Sequence, residues 1–535
     1  MKQFNTTGAC VPELHYMVDI SETVSEIKKY VDMGNYFTIN RARQYGKTTT
    51  IWALSKILES DYVVVSIDFQ DIEDGSFVNG GEFSKAFARI LLDAKDFDGM
   101  EIPGYIADRL SELDGKPAMD VKMDDLFRIF RYWFREESRG IVLIIDEVDG
   151  AANNQVFLDF LAQLRSLYLK RLRAREGRTF QSVILAGVTD VRRLKAKIRD
   201  EGEAKLNSPW NIAADFSIDM SLSEGGIRGM LDEYEADHRT GMDTAAIAGQ
   251  IREYTKGYPF LVSRICQVLD QKLCGKEPEN FKDLSAAWSS FGVDQAVKLI
   301  LSERDALFDS LFGKLMNFPE LKEKLRSILL RGEVVQYVPD DEEQSQLEMY
   351  GFIYNNHNKV AISNRIFEMR LYAFFLGETS KNNDLGQLGA FSKNSFVDGD
   401  GWLNVPRIME RFIKEHNRIH EDKDEGFLEA EGRERFMTFV SAIINGTGTY
   451  SIEEETRDRR RMDLVIHYLG RRYIIEMKIW HGERYNEEGE RQIMGYLDRF
   501  GLDTGYLLSF SFNKAKRPGV EIVHIGNKTI YEGIV

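Results

Sequence analysis

Along the first 215 residues, short apolar runs alternate with stretches in which apolar positions recur every three to four residues. The runs are YFTIN (36–40), YVVVSIDF (62–69), IVLIID (141–146) and SVILAGV (182–188). Runs this apolar, each followed by a helical pattern such as KTTTIWALSKIL, predict parallel strands in a sheet covered on both faces. From 216 to 300 the strand signal fades and helical spacing dominates, as in GGIRGMLDEYEAD and PFLVSRICQVLDQKL. Residues 301–376 are helix-rich and end in LEMYGFIYNNHNKVAISNRIFEMRLYAFF. That stretch reads as a helix, a short two-stranded wing around Asn355–Asn358 and another helix, the order of a winged-helix-like module. Residues 377–399, rich in Gly, Ser, Asn and Asp without an apolar period, predict a linker. A final domain follows over 400–535.

A chain of 535 residues is too long for one hydrophobic core, so several domains are expected. Its 43% hydrophobic and 29% charged residues are those of an ordinary globular protein. No run approaches 18 apolar residues and the N-terminus lacks the apolar core of a signal peptide, so the expectation is a cytoplasmic protein that does not engage a membrane. Cys10, Cys266 and Cys274 are too few and scattered for a disulfide framework, and no CxxC or HExxH motif suggests zinc. The net charge of -16 argues against non-specific coating of nucleic acid and leaves a local basic surface open.

The segment YFTINRARQYGKTTT places a strand, a loop, and then Gly46-Lys47-Thr48 at a helix start. A phosphate-binding loop needs that context. Backbone N–H groups would hold phosphate oxygens, Lys47 would reach the β and γ phosphates, and Thr48 would ligate Mg²⁺. Arg41 stands where the usual pattern has glycine. About a hundred residues later, IVLIIDEVD ends an apolar strand on Asp146-Glu147. Ligands of open α/β sheets bind at such strand ends. Asp146 would hold the Mg²⁺ shell and Glu147 would polarise the attacking water. A third strand ends in Thr189-Asp190, where a polar residue could sense the γ-phosphate.

A second constellation lies in RRRMDLVIHYLGRRYIIEMKIW (459–480). It reads as two strands joined by the tight turn Gly470-Arg471. Alternation puts Glu476 and Lys478 on one face of the second strand, and antiparallel pairing brings Asp463 to the same end. Two carboxylates suit Mg²⁺ or Mn²⁺. The metal would activate water while Lys478 orients it or stabilises the growing negative charge. Without a metal, the same residues would form a surface hairpin with a Glu–Lys pair. The apolar flanks of YIIEMKIW favour the functional reading, since a buried ion costs several kcal/mol unless paired or metal-bound.

The stretches TINRARQYGKTTT, IVLIIDEVD, LAGVTDVRRLKAKI, NSPWNIAADF and YTKGYPFLVSRI resemble bacterial AAA-ATPase-like proteins, relatives of AAA+ and STAND P-loop ATPases. The resemblance spans roughly 10–375. It implies an α/β fold with a P-loop parallel-sheet ATPase core (1–215), a helical lid (216–300) and the winged-helix-like module (301–376). Its loop pattern, Arg-x-Arg-x-x-Gly-Lys-Ser/Thr, implies that Arg41, Arg43, Gly46, Lys47, Thr48, Thr49 and Asp146 surround the nucleotide. Arg192-Arg193 would be either an arginine contact to phosphate or a solvated helix start.

Residues 400–535 resemble the PD-(D/E)XK nuclease superfamily, which implies an α/β restriction-endonuclease-like domain with Asp463, Glu476 and Lys478 as its centre. Met462 replaces the motif's proline. EGRERFMTFVSAIINGTG resembles the first helix, leaving its acid open between Glu431 and Glu434, with Glu429 a third candidate. Gln492 and Tyr496 fall one turn apart in the later helix. Arg457, Arg459, Arg460 and Arg461 could contact a nucleic-acid backbone, although Glu453, Glu454, Glu455 and Asp458 partly cancel them. The fusion implies ATP and Mg²⁺ (or Mn²⁺) as cofactors, DNA as partner, and ATP control of a nuclease in defence or mobile-element biology. The alternative is a STAND-like switch whose nuclease fold binds DNA or protein without cutting. Assembly into a homo-oligomer stays open by the same analogy.

Overall fold

The computed structural model describes residues 2–152, 154–173, 178–189, 191, 208–276, 279–330, 335–381, 396–420, 429–444, 448–451, 454–455, 461–462, 464–468, 471–480, 483–511 and 517–535. They form two compact units, Met1–Val293 with Gln346–Phe352, and Asp294–Ser345 with Ile353–Val535.

The first unit begins with α1 (Ser21–Asp32), β1 (Tyr36–Asn40), α2 (Lys47–Leu58) and β2 (Tyr62–Asp68). It continues through α3 (Gly80–Phe97), α4 (Gly104–Gly115), α5 (Met123–Glu136), β3 (Gly140–Asp146), α6 (Gln155–Arg173) and β4 (Phe180–Gly187). The four strands lie in the order β1-β4-β3-β2 and every pairing is parallel. Each strand coincides, within two residues at either end, with an apolar run of the sequence.

Alternation along β3 explains why the sheet is covered twice. Ile141, Leu143 and Ile145 join a core with Phe83, Phe87, Phe127, Phe130 and Phe160. Val142 and Ile144 face the other way, into a core with Val24, Ile27, Ile51 and Leu54 of α1 and α2. Each such side chain, once buried, contributes about 1.5–3 kcal/mol. Beyond β4 come the helices α7 (Glu224–His238), α8 (Thr244–Thr255) and α9 (Pro259–Gln271). The first two start on side-chain caps, Ser223 accepting from Gly226 N–H and Asp243 from Ala245 and Ala246 N–H.

In the second unit, helices up to Pro319–Leu330 precede the hairpin β5 (Ile353–Asn356) and β6 (Lys359–Ile362). Its turn uses His357 and Asn358 at positive φ. The following helix, Arg365–Lys381, runs five residues into the stretch expected as linker. Gly377 does not stop it, and Glu378 pairs with Lys322 at 2.7 Å.

The last part holds β7 (Gly448–Ser451), the short pair β8 (Glu454–Glu455) and β9 (Arg461–Met462), β10 (Leu464–Tyr468), β11 (Arg471–Trp480), β12 (Thr504–Ser511), β13 (Gly519–Ile525) and β14 (Lys528–Ile534). Six of them form a mixed sheet, β13-β14-β12-β11-β10-β7. Ile474 and Leu507 pack with Ile493 and Leu497 of helix Glu483–Phe500. Strand residues of the opposite parity meet helices Val405–His420 and Glu429–Ile444, where Phe510 leaves no room for a side chain at Gly432. Arg326–Glu434 at 2.6 Å ties the preceding helices to helix Glu429–Ile444, and Arg365 donates to His467 of β10 at 3.2 Å. No described helix is long and apolar enough to cross a membrane.

Candidate functional site

At the C-terminal edge of the first sheet, β1, β3 and β4 end side by side. The loop leaving β1 turns through Gln44 (φ 57°) and Gly46 (φ 81°), with Tyr45 between them at negative φ. Successive N–H groups in such alternating backbone converge into an anion-binding concavity. Gly46 opens α2 without a side-chain cap. The first N–H groups of α2 therefore take no side-chain acceptor from that position, as a phosphate site requires.

Lys47 is 5% exposed, and its Nζ donates to the loop carbonyls of Arg41 at 3.2 Å and Ala42 at 3.3 Å. Burial holds its ammonium below the ordinary lysine range, opposed by the charges of Glu147, Asp149 and Asp146. Thr48 Oγ1 donates to Asp146 Oδ2 at 3.1 Å, joining residues 98 apart in sequence. Asp146 Oδ1 accepts from Glu147 N–H at 2.9 Å. Burial pushes both the Asp146 and the Glu147 carboxyls above their ordinary values. A hydroxyl and a carboxylate meeting beside a buried ammonium are a donor set suited to Mg²⁺ carrying a phosphate chain.

The other candidates have different surroundings. Arg41 donates to Asn40 O at 2.9 Å and Ile218 O at 2.6 Å, and lies over the Phe216 ring at 5.1 Å. It braces the loop from the side, whereas Arg43 is exposed. Thr49 Oγ1 accepts from Cys10 N–H at 3.0 Å, which ties the N-terminal segment to α2. Thr189 N–H donates to Asp149 at 2.6 Å. Asp190, Arg192 and Arg193 lie outside the described residues.

Two features escaped sequence reasoning. Asp149, three residues after Asp146, accepts from the backbone at the exit of β4. The turn before α9 closes on the β1–α2 loop: Tyr258 OH donates to Arg43 O, its ring meets Tyr45 at 4.8 Å, and Pro259 lies beside Gly46. Gly257 (φ 74°) permits this turn, because a Cβ there would fall 2.1 Å from Leu222 O. The Gly-Tyr-Pro triplet signals a helix start, but its docking partner is 215 residues away.

In the second unit, Glu476 is 3% exposed and stands 3.6 Å from Lys478 on one face of β11. β10 pairs with β11 from Leu464↔Ile475 onward. Asp463, the preceding residue, lies outside the described residues, as do Arg457, Arg459, Arg460 and His481. Glu434 is held by Arg326. Glu429 and Glu431 share its helix and Gln492 lies in helix Glu483–Phe500, but the side chains of all three are outside what the structure describes. Tyr496 is buried in the core with Ile493 and Leu497. Among the described residues, no three His, Cys, Asp or Glu side chains group closely enough to hold a metal ion.

The raised Glu147 carboxyl gives a pH-dependent expectation. A raised acid stabilises the fold most below its ordinary value of 4.5, and that contribution is lost as pH rises through the folded-state value. Gln has no such dependence. In metal chelator without nucleotide, Glu147→Gln should therefore melt higher than wild type at pH 8, the gap closing toward pH ~4. A gap that is flat or negative across this range would contradict a carboxyl raised by burial.

No protein-family model matches the chain, and no curated protein does. Three similar solved structures are a Walker-type ATPase of Pyrococcus abyssi, Cdc6p from Pyrobaculum aerophilum, and the Aeropyrum pernix Orc1 protein in complex with DNA. The first is 12% identical with a TM-score of 0.45, covering 69% of this chain and 99% of its own. The second is 13% identical with a TM-score of 0.33, covering 70% and 97%. The third is 10% identical with a TM-score of 0.30, covering 68% and 94%.

Proposed function

We propose that this chain binds and hydrolyses Mg²⁺·ATP at the edge of its parallel sheet, and that the nucleotide controls a metal-dependent phosphodiesterase acting on DNA in residues 400–535. In this reading 1–215 are the ATPase core, 216–300 its lid, 301–376 a winged-helix-like module and 377–399 a linker whose first five residues continue helix Arg365–Lys381. The observation that carries it is the Thr48–Asp146 hydrogen bond beside buried Lys47. Mg²⁺ would neutralise phosphate charge when bound there. Lys47 exchanges two loop carbonyls for phosphate oxygens, while Thr48 and Asp146 would hold the metal. Glu147 takes a proton from water as its oxygen bonds to the γ-phosphorus and the bridging bond to the β-phosphate breaks.

For the second site, Glu476 and Lys478 supply a buried carboxylate and an adjacent ammonium. Asp463 would add the second carboxylate, and the first-helix acid stays open between Glu431 and Glu434, the second of which pairs with Arg326. With Glu434 as that acid, its pairing with Arg326 favours a second reading, the STAND-like switch whose nuclease fold does not cut. The first test is phosphate release by the full chain with Mg²⁺·ATP. Turnover dependent on Mg²⁺ is expected. Absence of both turnover and nucleotide binding would overturn the ATPase reading.

A further inference from the structure

The turn after β3 is held in a conformation it would not adopt alone. Glu147 has φ 51°, the left-handed region that a non-glycine residue rarely adopts. Such strain persists only where the surroundings over-determine it. Three contacts do so. Val148, fully buried, donates its N–H to Ala186 O at 3.1 Å. Asp149 then closes the turn with both carboxylate oxygens: Val188 N–H lies 3.0 Å from Oδ1 and 2.8 Å from Oδ2, and Thr189 N–H 2.6 Å from Oδ1. Bonds from N–H groups to a carboxylate are roughly twice as strong as neutral ones. Gly187 completes the clasp, because a Cβ there would sit 3.1 Å from Val148 Cγ2 and 3.2 Å from each Asp149 oxygen.

We propose that Asp149 is a positioning residue for ATP hydrolysis, locking the turn that carries Glu147 to the strand exit that carries Thr189. The inference rests on the ATPase reading above. The hydrogen bonds form one path: Thr48 to Asp146, Asp146 to the Glu147 backbone, and two residues on, Asp149 to Val188 and Thr189. The turn that carries Glu147 and the strand exit that carries Thr189 therefore cannot shift independently. A turn cap of purely structural value would leave turnover alone once the protein is folded.

Asp149→Asn keeps the volume but sets an amide donor against backbone donors. Gly187→Ala presses its Cβ against the same clasp from β4 and leaves the Asp149 side chain itself unchanged. In the full chain, each is expected to lower kcat about 30- to 100-fold, the order of effect of misplacing a catalytic group by about 1 Å. Each should leave the dissociation constant of a non-hydrolysable Mg²⁺·ATP analogue within about threefold of wild type, since the phosphate loop is intact. Two folded variants with wild-type kcat overturn the inference and leave the ATPase reading standing. Loss of binding in proportion to kcat in both also overturns it, assigning the clasp to general structure. A wild type that binds the analogue but never turns over overturns the hydrolysis reading, and this inference with it.

Discussion

Lys47→Ala is expected to reduce ATP turnover by on the order of 100- to 1,000-fold, the scale of removing one pre-positioned donor from a developing charge. Lys47 is the buried cation between the phosphate loop and the acidic end of β3, and its ammonium is aimed at two carbonyls of that loop. Those carbonyls are poor substitutes for phosphate oxygens, so the ammonium is already positioned for exchange. Burial disfavours its charged form in the absence of nucleotide. Alanine should therefore cost the nucleotide-free protein little stability while removing the charge that turnover needs. Phosphate release and a thermal melt on the same preparation check both halves. Turnover at the wild-type rate would remove Lys47 from the site.

Glu476→Gln is expected to lower Mg²⁺- or Mn²⁺-dependent DNA cleavage by a similar factor, about 100-fold or more. Glutamine keeps the volume of a side chain that is 3% exposed, so the sheet between β10 and β12 stays packed. What changes is the ligand: a neutral amide binds a hard divalent cation far less well than a carboxylate. Lys478 lies 3.6 Å away and loses its ion-pair partner at the same time. Leaving the partly exposed lysine unpaired destabilises modestly. A melt of Glu476→Gln beside the Glu476→Gln/Lys478→Met double variant separates that effect from lost chemistry. A folded Glu476→Gln that cuts as fast as wild type would remove β11 from any catalytic site.

The first unit was legible because its strands are continuous apolar runs that stop at polar residues, and parallel pairing then aligns their ends. Thr48 and Asp146 could be matched across 98 residues because both sit where a strand end and a helix start must meet. Asp149 and Tyr258 were not legible. Their work lies in hydrogen bonds to the backbone of distant segments, and backbone partners leave no mark in composition or spacing. Arg41 shows the converse: its place in the motif suggested phosphate, yet Asn40, Ile218 and Phe216 hold it against the scaffold. The helix beyond Gly377 was missed because one glycine weakens a helix by only about 1 kcal/mol and the Lys322–Glu378 pair joins residues 56 apart in sequence. In the last domain, alternation correctly put Glu476 and Lys478 together. The pairing of Glu434 with Arg326 joins helices 108 residues apart and had no local signal.

Cleavage of supercoiled plasmid by the full chain in Mg²⁺, with and without ATP, tests the link between the two sites most directly. Metal-dependent nicking whose rate changes on adding ATP, and does not change in Lys47→Ala, is the outcome expected if nucleotide controls the nuclease. Nicking by wild type that is indifferent to ATP, or no nicking in any nucleotide state, would contradict that control.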